Sequence, residues 1–101
     1  MIKHIVCWKL KENVDGMNKL EIVSTLKQKL VALKKLVPVV LTLEVGINDP
    51  EIDKTNFDVV LITTFNSKSD LQIYQSHPEH VKVAEFVMKI RESRACVDFE
   101  C

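Results

Sequence analysis

The 101 residues predict an α+β domain, and three observations carry that expectation. Apolar residues recur every second position near both ends and in the middle of the chain, and every third or fourth position between those stretches. The elements follow the order strand, helix, strand, strand, helix pair, strand. The two middle strands are apolar on both faces, although helices can cover only one. That order is the split βαβ, or ferredoxin-like βαββαβ, arrangement with a four-stranded antiparallel sheet. The second apolar face then needs another sheet, most simply that of a second copy, which would make a dimeric α/β barrel.

Each element has its own justification. Residues 2–10 alternate, with Ile2, His4, Val6, Trp8 and Leu10 on one face and Lys3, Ile5, Cys7 and Lys9 on the other. Residues 17–37 form an amphipathic helix in which Leu20, Val23, Leu26, Leu30, Leu33 and Val37 are the core stripe; Asp15-Gly16 leads in and Pro38 ends it. Residues 39–47 are a strand, with Val40, Thr42 and Glu44 opposite Val39, Leu41, Leu43, Val45 and Ile47. A polar loop over 48–56 leads to a strand at 57–65, whose second face carries Val60, Ile62 and Thr64. Asn66-Ser67-Lys68-Ser69 supplies capping residues for a short helix bearing Leu71 and Tyr74. His77-Pro78 breaks it, and Pro78 opens a second helix presenting Val81, Ala84, Val87 and Ile90, with Phe86 beside them. Arg91 and Arg94 lie near its C-terminal end, where cations are favoured. Residues 95–100 alternate as the last strand, Ala95, Val97 and Phe99 opposite Cys96, Asp98 and Glu100. Residues 1–101 are therefore read as a single domain.

Composition removes several classes of function. The 14 basic and 14 acidic side chains balance, which argues against a nucleic-acid partner. No apolar run approaches the roughly 20 residues of a membrane span, so no membrane partner is expected. The first residues enter a strand pattern without a signal-peptide layout, so a cytoplasmic location is expected. Cys7, Cys96 and Cys101 are odd in number and contain no Cys-x-x-Cys pair. They read as two sheet residues and a free terminal thiol rather than a disulfide framework or zinc ribbon. Leu26, Leu30 and Leu33 read as core, and nothing calls for a cofactor. His77 and His80 have the i, i+3 spacing of a metal pair, but Pro78 interrupts the helical face and no metal site is expected.

The residues able to carry chemistry are His4, on the apolar face of the first strand, and the segment Tyr74-Gln75-Ser76-His77-Pro78-Glu79-His80. Histidine takes and returns a proton near neutral pH, and a tyrosine hydroxyl can orient a carbonyl. If the first strand lies beneath the second helical region, His80, Tyr74 and His4 can meet in a cleft and abstract a proton beside a carbonyl. Trp8 and Val6 share the strand face of His4, and Phe86 is expected at the core or pocket wall. His77, before Pro78, reads first as a helix cap that fixes a turn, and otherwise as a binding residue of the same cleft.

The opening Lys3-His4-Ile5-Val6-Cys7-Trp8-Lys9-Leu10-Lys11-Glu12 resembles the start of the stress-responsive dimeric A/B barrel (Dabb) domain family. Leu43-Glu44-Val45-Gly46, Phe57-Asp58-Val59-Val60-Leu61, Tyr74 through His80 and Val97-Asp98-Phe99-Glu100 extend the resemblance over the whole chain. It implies the dimeric ferredoxin-like barrel, with no reaction assigned to most members. One enzyme of the family, the plant polyketide cyclase that makes olivetolic acid, uses a histidine and a tyrosine that match His80 and Tyr74 by motif position. His4 and His77 match nearby pocket histidines. The first helix here is longer, and only six aromatic residues are present. Two functions follow as expectations. One is a homodimer, joined through its sheet faces, that binds a small apolar or carbonyl-containing ligand between sheet and helices. The other is a cofactor-independent enzyme, a cyclase or isomerase, using His80 and Tyr74. Monooxygenases that share the barrel are a third possibility.

Overall fold

The computed structural model describes residues 1–101. In chain order the elements are β1 (Ile2–Leu10), a small hairpin of β2 (Asn13–Val14) and β3 (Met17–Asn18), α1 (Lys19–Leu36), β4 (Thr42–Ile47), a single turn α2 (Pro50–Asp53), β5 (Val59–Phe65), α3 (Lys68–Ser76), α4 (Pro78–Ile90) and β6 (Arg91–Glu100). The four long strands form one antiparallel sheet in the order β4-β5-β1-β6. This is the ferredoxin-like α+β arrangement that the element order predicts.

β1 is central, and its alternation sets the two faces. Ile2, His4, Val6, Trp8 and Leu10 are buried on the helix side, as the period-two pattern predicts. Their register partners continue that face: Thr63, Leu61 and Val59 on β5, and Asp98, Cys96 and Arg94 on β6. The outer face carries Lys3, Ile5 and Cys7 beside Val60, Ile62 and Thr64, with Ala95, Val97 and Phe99 on the other flank. Gly46 of β4 lies opposite Val60, and a Cβ there would come within 2.8 Å of Val60 Cγ1.

The start of α1 departs from expectation. Asp15 (φ 49°) and Gly16 (φ 81°) turn the β2–β3 hairpin, and the helix begins only at Lys19. Its N-cap is Asn18, whose side chain accepts from the Glu21 N–H while Glu21 accepts from the Asn18 N–H. Leu20 is 82% exposed, and Ile22 takes its place in the core. At about 100° per residue, Ile22, Leu26, Leu30 and Leu33 fall within an arc of about 80°, whereas Leu20 lies about 160° from Ile22.

Three further expectations are corrected. Val40 does not stand on the outer sheet face: β4 begins at Thr42, and Val40 sits in the turn after α1, its N–H bonded to the Val37 carbonyl and its side chain in the core. Val81 of α4 is exposed, and Val83 packs against the core instead, in line with Val87 and Ile90. The last strand starts at Arg91 rather than residue 95, so α4 passes into β6 without a loop. No helix is long and apolar enough to cross a membrane.

Candidate functional site

The break between α3 and α4 builds one wall of a cavity. His77 is both the C-cap of α3 and the N-cap of α4, with its Nδ1 accepting from the Glu79 N–H at 3.1 Å. Pro78 holds the first position of α4 and gives up no needed donor there. The bend leaves Tyr74 in the last turn before it and His80 in the first turn after it, their ring centroids 4.5 Å apart and the planes inclined at 61°. Phe65 supports the other side of the Tyr74 ring at 5.0 Å, and His4 approaches Tyr74 from the sheet at 6.3 Å.

Tyr74, His80 and His4 line a cavity of about 280 Å³ between α4 and the sheet. Of the residues singled out in the sequence, His4, Val6, Trp8, Tyr74 and His80 reach it. His77 does not, being occupied as a cap, and neither does Phe86, which packs against the core beneath the Lys29 ammonium, 5.0 Å from its ring centroid. The remaining wall is mostly apolar, with Leu30, Leu33, Leu61, Val83, Ala84, Val87 and Met88, and Gln75, Arg91 and Arg94 complete it.

The polar atoms of the wall differ in how well they are satisfied. His4, almost wholly buried, contacts the half-exposed Asp98 carboxylate through Nδ1. Thr63 donates to its backbone carbonyl at 3.3 Å. By contrast Trp8 Nε1 and His80 Nδ1 are buried without any hydrogen-bond partner, an uncommon condition in a folded protein. Burial holds the His80 imidazole below its ordinary 6.5; nearby His4, Arg94 and His77 act the same way, and the Gln75 carbonyl opposes them. Burial likewise pushes the Tyr74 phenol up from 10.0 to about 12. At neutral pH the wall therefore presents an uncharged imidazole beside a firmly protonated phenol.

One donor set was not gathered from the sequence. His4 Nδ1, Cys96 Sγ and an Asp98 carboxylate oxygen lie within 4.8 Å of one another, on adjacent strands. These are nitrogen, sulfur and oxygen donors of the kind that hold a zinc-type ion, and Cys96 Sγ is 3.7 Å from His4 Nδ1. The set is unrelated to the His77–His80 spacing weighed above. Burial, with Asp98 second, raises the Cys96 thiol above its ordinary value. Cys96 and Asp98 were legible only as neighbours on one strand face, because their approach to His4 depends on a register joining residues more than 90 positions apart. Arg91 and Arg94 were readable as helix-end cations and not as cavity residues.

The stress responsive A/B barrel domain family model matches residues 2–101, and the chain belongs to that family. A dimeric protein of unknown function with a ferredoxin-like fold from Bacteroides fragilis NCTC 9343 is 34% identical; the match covers 99% of this chain and 95% of that one, with a TM-score of 0.85. A dimeric ferredoxin-like protein of unknown function from Thermobifida fusca is 20% identical over 99% of this chain and 90% of its own, at a TM-score of 0.84. The hydroxynitrile lyase of Passiflora edulis shares the fold at 16% identity and a TM-score of 0.79, covering 97% of this chain and 90% of the lyase. No curated protein matches the chain.

Tyr74 is the sole tyrosine, so its environment can be measured directly. Absorbance titration of the native protein should show tyrosinate forming with a midpoint near 12 rather than 10.0. The sign follows from burial, which disfavours the charged phenolate. A midpoint at 10 would show that the ring is wetter than the fold implies.

Proposed function

We propose that this protein works as a homodimer, joined through its outer sheet faces, and that each subunit binds a small, largely apolar, carbonyl-containing molecule in the cavity beneath α4. The observation that carries the ligand reading is the pair of buried ring nitrogens, Trp8 Nε1 and His80 Nδ1, that have no hydrogen-bond partner in a mostly apolar wall. An orphaned polar group in such surroundings costs roughly 1–3 kcal/mol. A ligand carrying a carbonyl or hydroxyl oxygen can relieve that cost while its carbon body meets Leu30, Leu61 and Val87. The volume is slightly under the roughly 300–1,000 Å³ of sites for drug-sized ligands, which favours a small molecule.

The dimer reading rests on the outer face. Val97 is 60% and Phe99 42% exposed there, next to Ile5, Val60 and Ile62. The Bacteroides and Thermobifida proteins are described as dimeric, which supports the same assembly here. Ile62→Lys, at the middle of that face, should shift sedimentation from dimer to monomer, because a buried interface charge is costly. A dimer unchanged by the substitution would place the contact elsewhere.

The binding claim has its own test. Native mass spectrometry of wild-type protein against a panel of small ketones and aldehydes should find retained adducts. Ala84→Trp, which fills the cavity, should lose them while remaining dimeric. Adducts retained equally by Ala84→Trp would rule the cavity out.

A second reading, proton transfer beside the carbonyl, is favoured by the His4–Asp98 contact. With Nδ1 engaged by the carboxylate, His4 would keep Nε2 for the cavity. His80, uncharged at pH 7, would act as general base, and the protonated Tyr74 would hydrogen-bond the developing oxyanion. Any turnover found should fall by about 10²–10⁴-fold in His80→Ala and by less in Tyr74→Phe. Turnover indifferent to both would exclude this site as the catalytic one.

A further inference from the structure

The charge on the cavity wall is one-sided. The chain as a whole has 14 acidic and 14 basic residues, yet no aspartate or glutamate lines the cavity, whereas two arginines do. Their placement follows from the junction of α4 and β6. The Arg91 N–H closes the last turn of α4 on the Val87 carbonyl, which fixes Arg91 at the end of the helix. Arg94 pairs with Trp8 across the β1–β6 ladder, which places it on the inner face beside the indole.

Neither guanidinium has a carboxylate partner. The ion pairs of the structure join His4 to Asp98, Lys9 and Lys19 to Asp58, Lys19 to Glu12, and Lys82 to Glu79. The Arg91 guanidinium donates only to Met88 Sδ, at 3.5 Å. Asp98, the acid on the same face of β6, already contacts His4.

We propose that the molecule bound here is a carboxylate, its head group held by Arg91 and Arg94 at the mouth of the cavity and its apolar body directed inward. The proposal rests on the reading of the cavity as a ligand site and adds the charge and orientation of the ligand. A planar guanidinium matches the two oxygens of a carboxylate, and such charge-assisted pairs are about twice as strong as neutral ones. The Trp8 indole N–H, almost fully buried and unpartnered in the same wall, supplies a further donor suited to an anion. The apolar remainder of the wall and its modest volume suit a short aliphatic or aromatic acid better than a sugar phosphate or nucleotide.

Trp8 is the sole tryptophan and lies in the wall, so its fluorescence reports on this cavity alone. The purified protein would be titrated with hexanoate, with its uncharged isostere hexanamide, and with hexyl phosphate. Hexanoate should bind at least tenfold more tightly than hexanamide and weaken as salt is raised, while hexanamide stays insensitive to salt. Arg94→Gln and Arg91→Gln should each remove about tenfold of the hexanoate affinity and leave hexanamide unchanged. Arg94→Lys, which keeps the charge and loses the fork, should fall between. The salt comparison needs no variant, so a substitution that unfolds the protein does not spoil the test. Equal binding of hexanoate and hexanamide, insensitive to salt and to the arginine substitutions, would overturn the carboxylate head group and leave the cavity reading standing. Hexyl phosphate binding more tightly than hexanoate would also overturn it. No change in Trp8 fluorescence with any of the three would overturn both.

Discussion

Everything in this fold hangs on the alternation of β1, hydrogen-bonded by β5 on one side and β6 on the other. Odd and even positions answer to different demands. Ile2, Val6, Trp8 and Leu10 supply the floor of the core, and Ile5 and Cys7 belong to the opposite face. A slip of one residue would send Lys3 and Lys9 under the helices and push His4 and Trp8 outward. The placement of His4 makes the register costly to change, since a buried imidazole needs a partner and finds it in Asp98 directly across the ladder. The chemistry of the cavity and the apolar outer face are two consequences of one pairing.

Core and cavity coexist because the two helical layers differ. α1 presses Ile22, Leu26, Leu30 and Leu33 fully into the interior. The second layer is broken at His77-Pro78, and α4 buries only Val87 and Ile90 fully. Over the same stretch Val83 and Ala84 face the cavity with short side chains. The break that His77 and Pro78 impose thus does more than end a helix: it brings Tyr74 and His80 together at a corner that a continuous helix would not form.

The fold was legible because its signals are local. Period two in 2–10 and 57–65, period three to four in the helices, and the proline breaks are each visible within a dozen residues. Errors arose where a local pattern had two solutions. Leu20 keeps a three-residue step to Val23, and only the angle around the helix axis, set by Leu26, Leu30 and Leu33, selects Ile22 for the core instead. Val40 fits a strand alternation, but the turn that follows Val37 draws it into the core before β4 begins. The site was half legible for the same reason. Tyr74 and His80 lie six residues apart around a visible break, and His4 interrupts a visible apolar face. The contributions of Cys96, Asp98, Arg91 and Arg94 arise from the pairing of the first strand with the last, which no local spacing records.

That pairing also explains how an edge strand gives the cavity wall a cation while its inner-face acid stays on His4. On the inner face of β6, Arg94 stands across from Trp8 and Asp98 across from His4, with Cys96 between them. Asp98 contacts His4 and forms no ion pair with Arg94, which leaves the Arg94 guanidinium without a carboxylate partner. Alternation along β6 thus divides the open edge into a basic end near the helix junction and an imidazole–carboxylate end near the chain terminus. His80 and Tyr74 stand above the floor between these ends. A bound acid anchored at the first end would direct the carbons beyond its carboxylate toward the imidazoles.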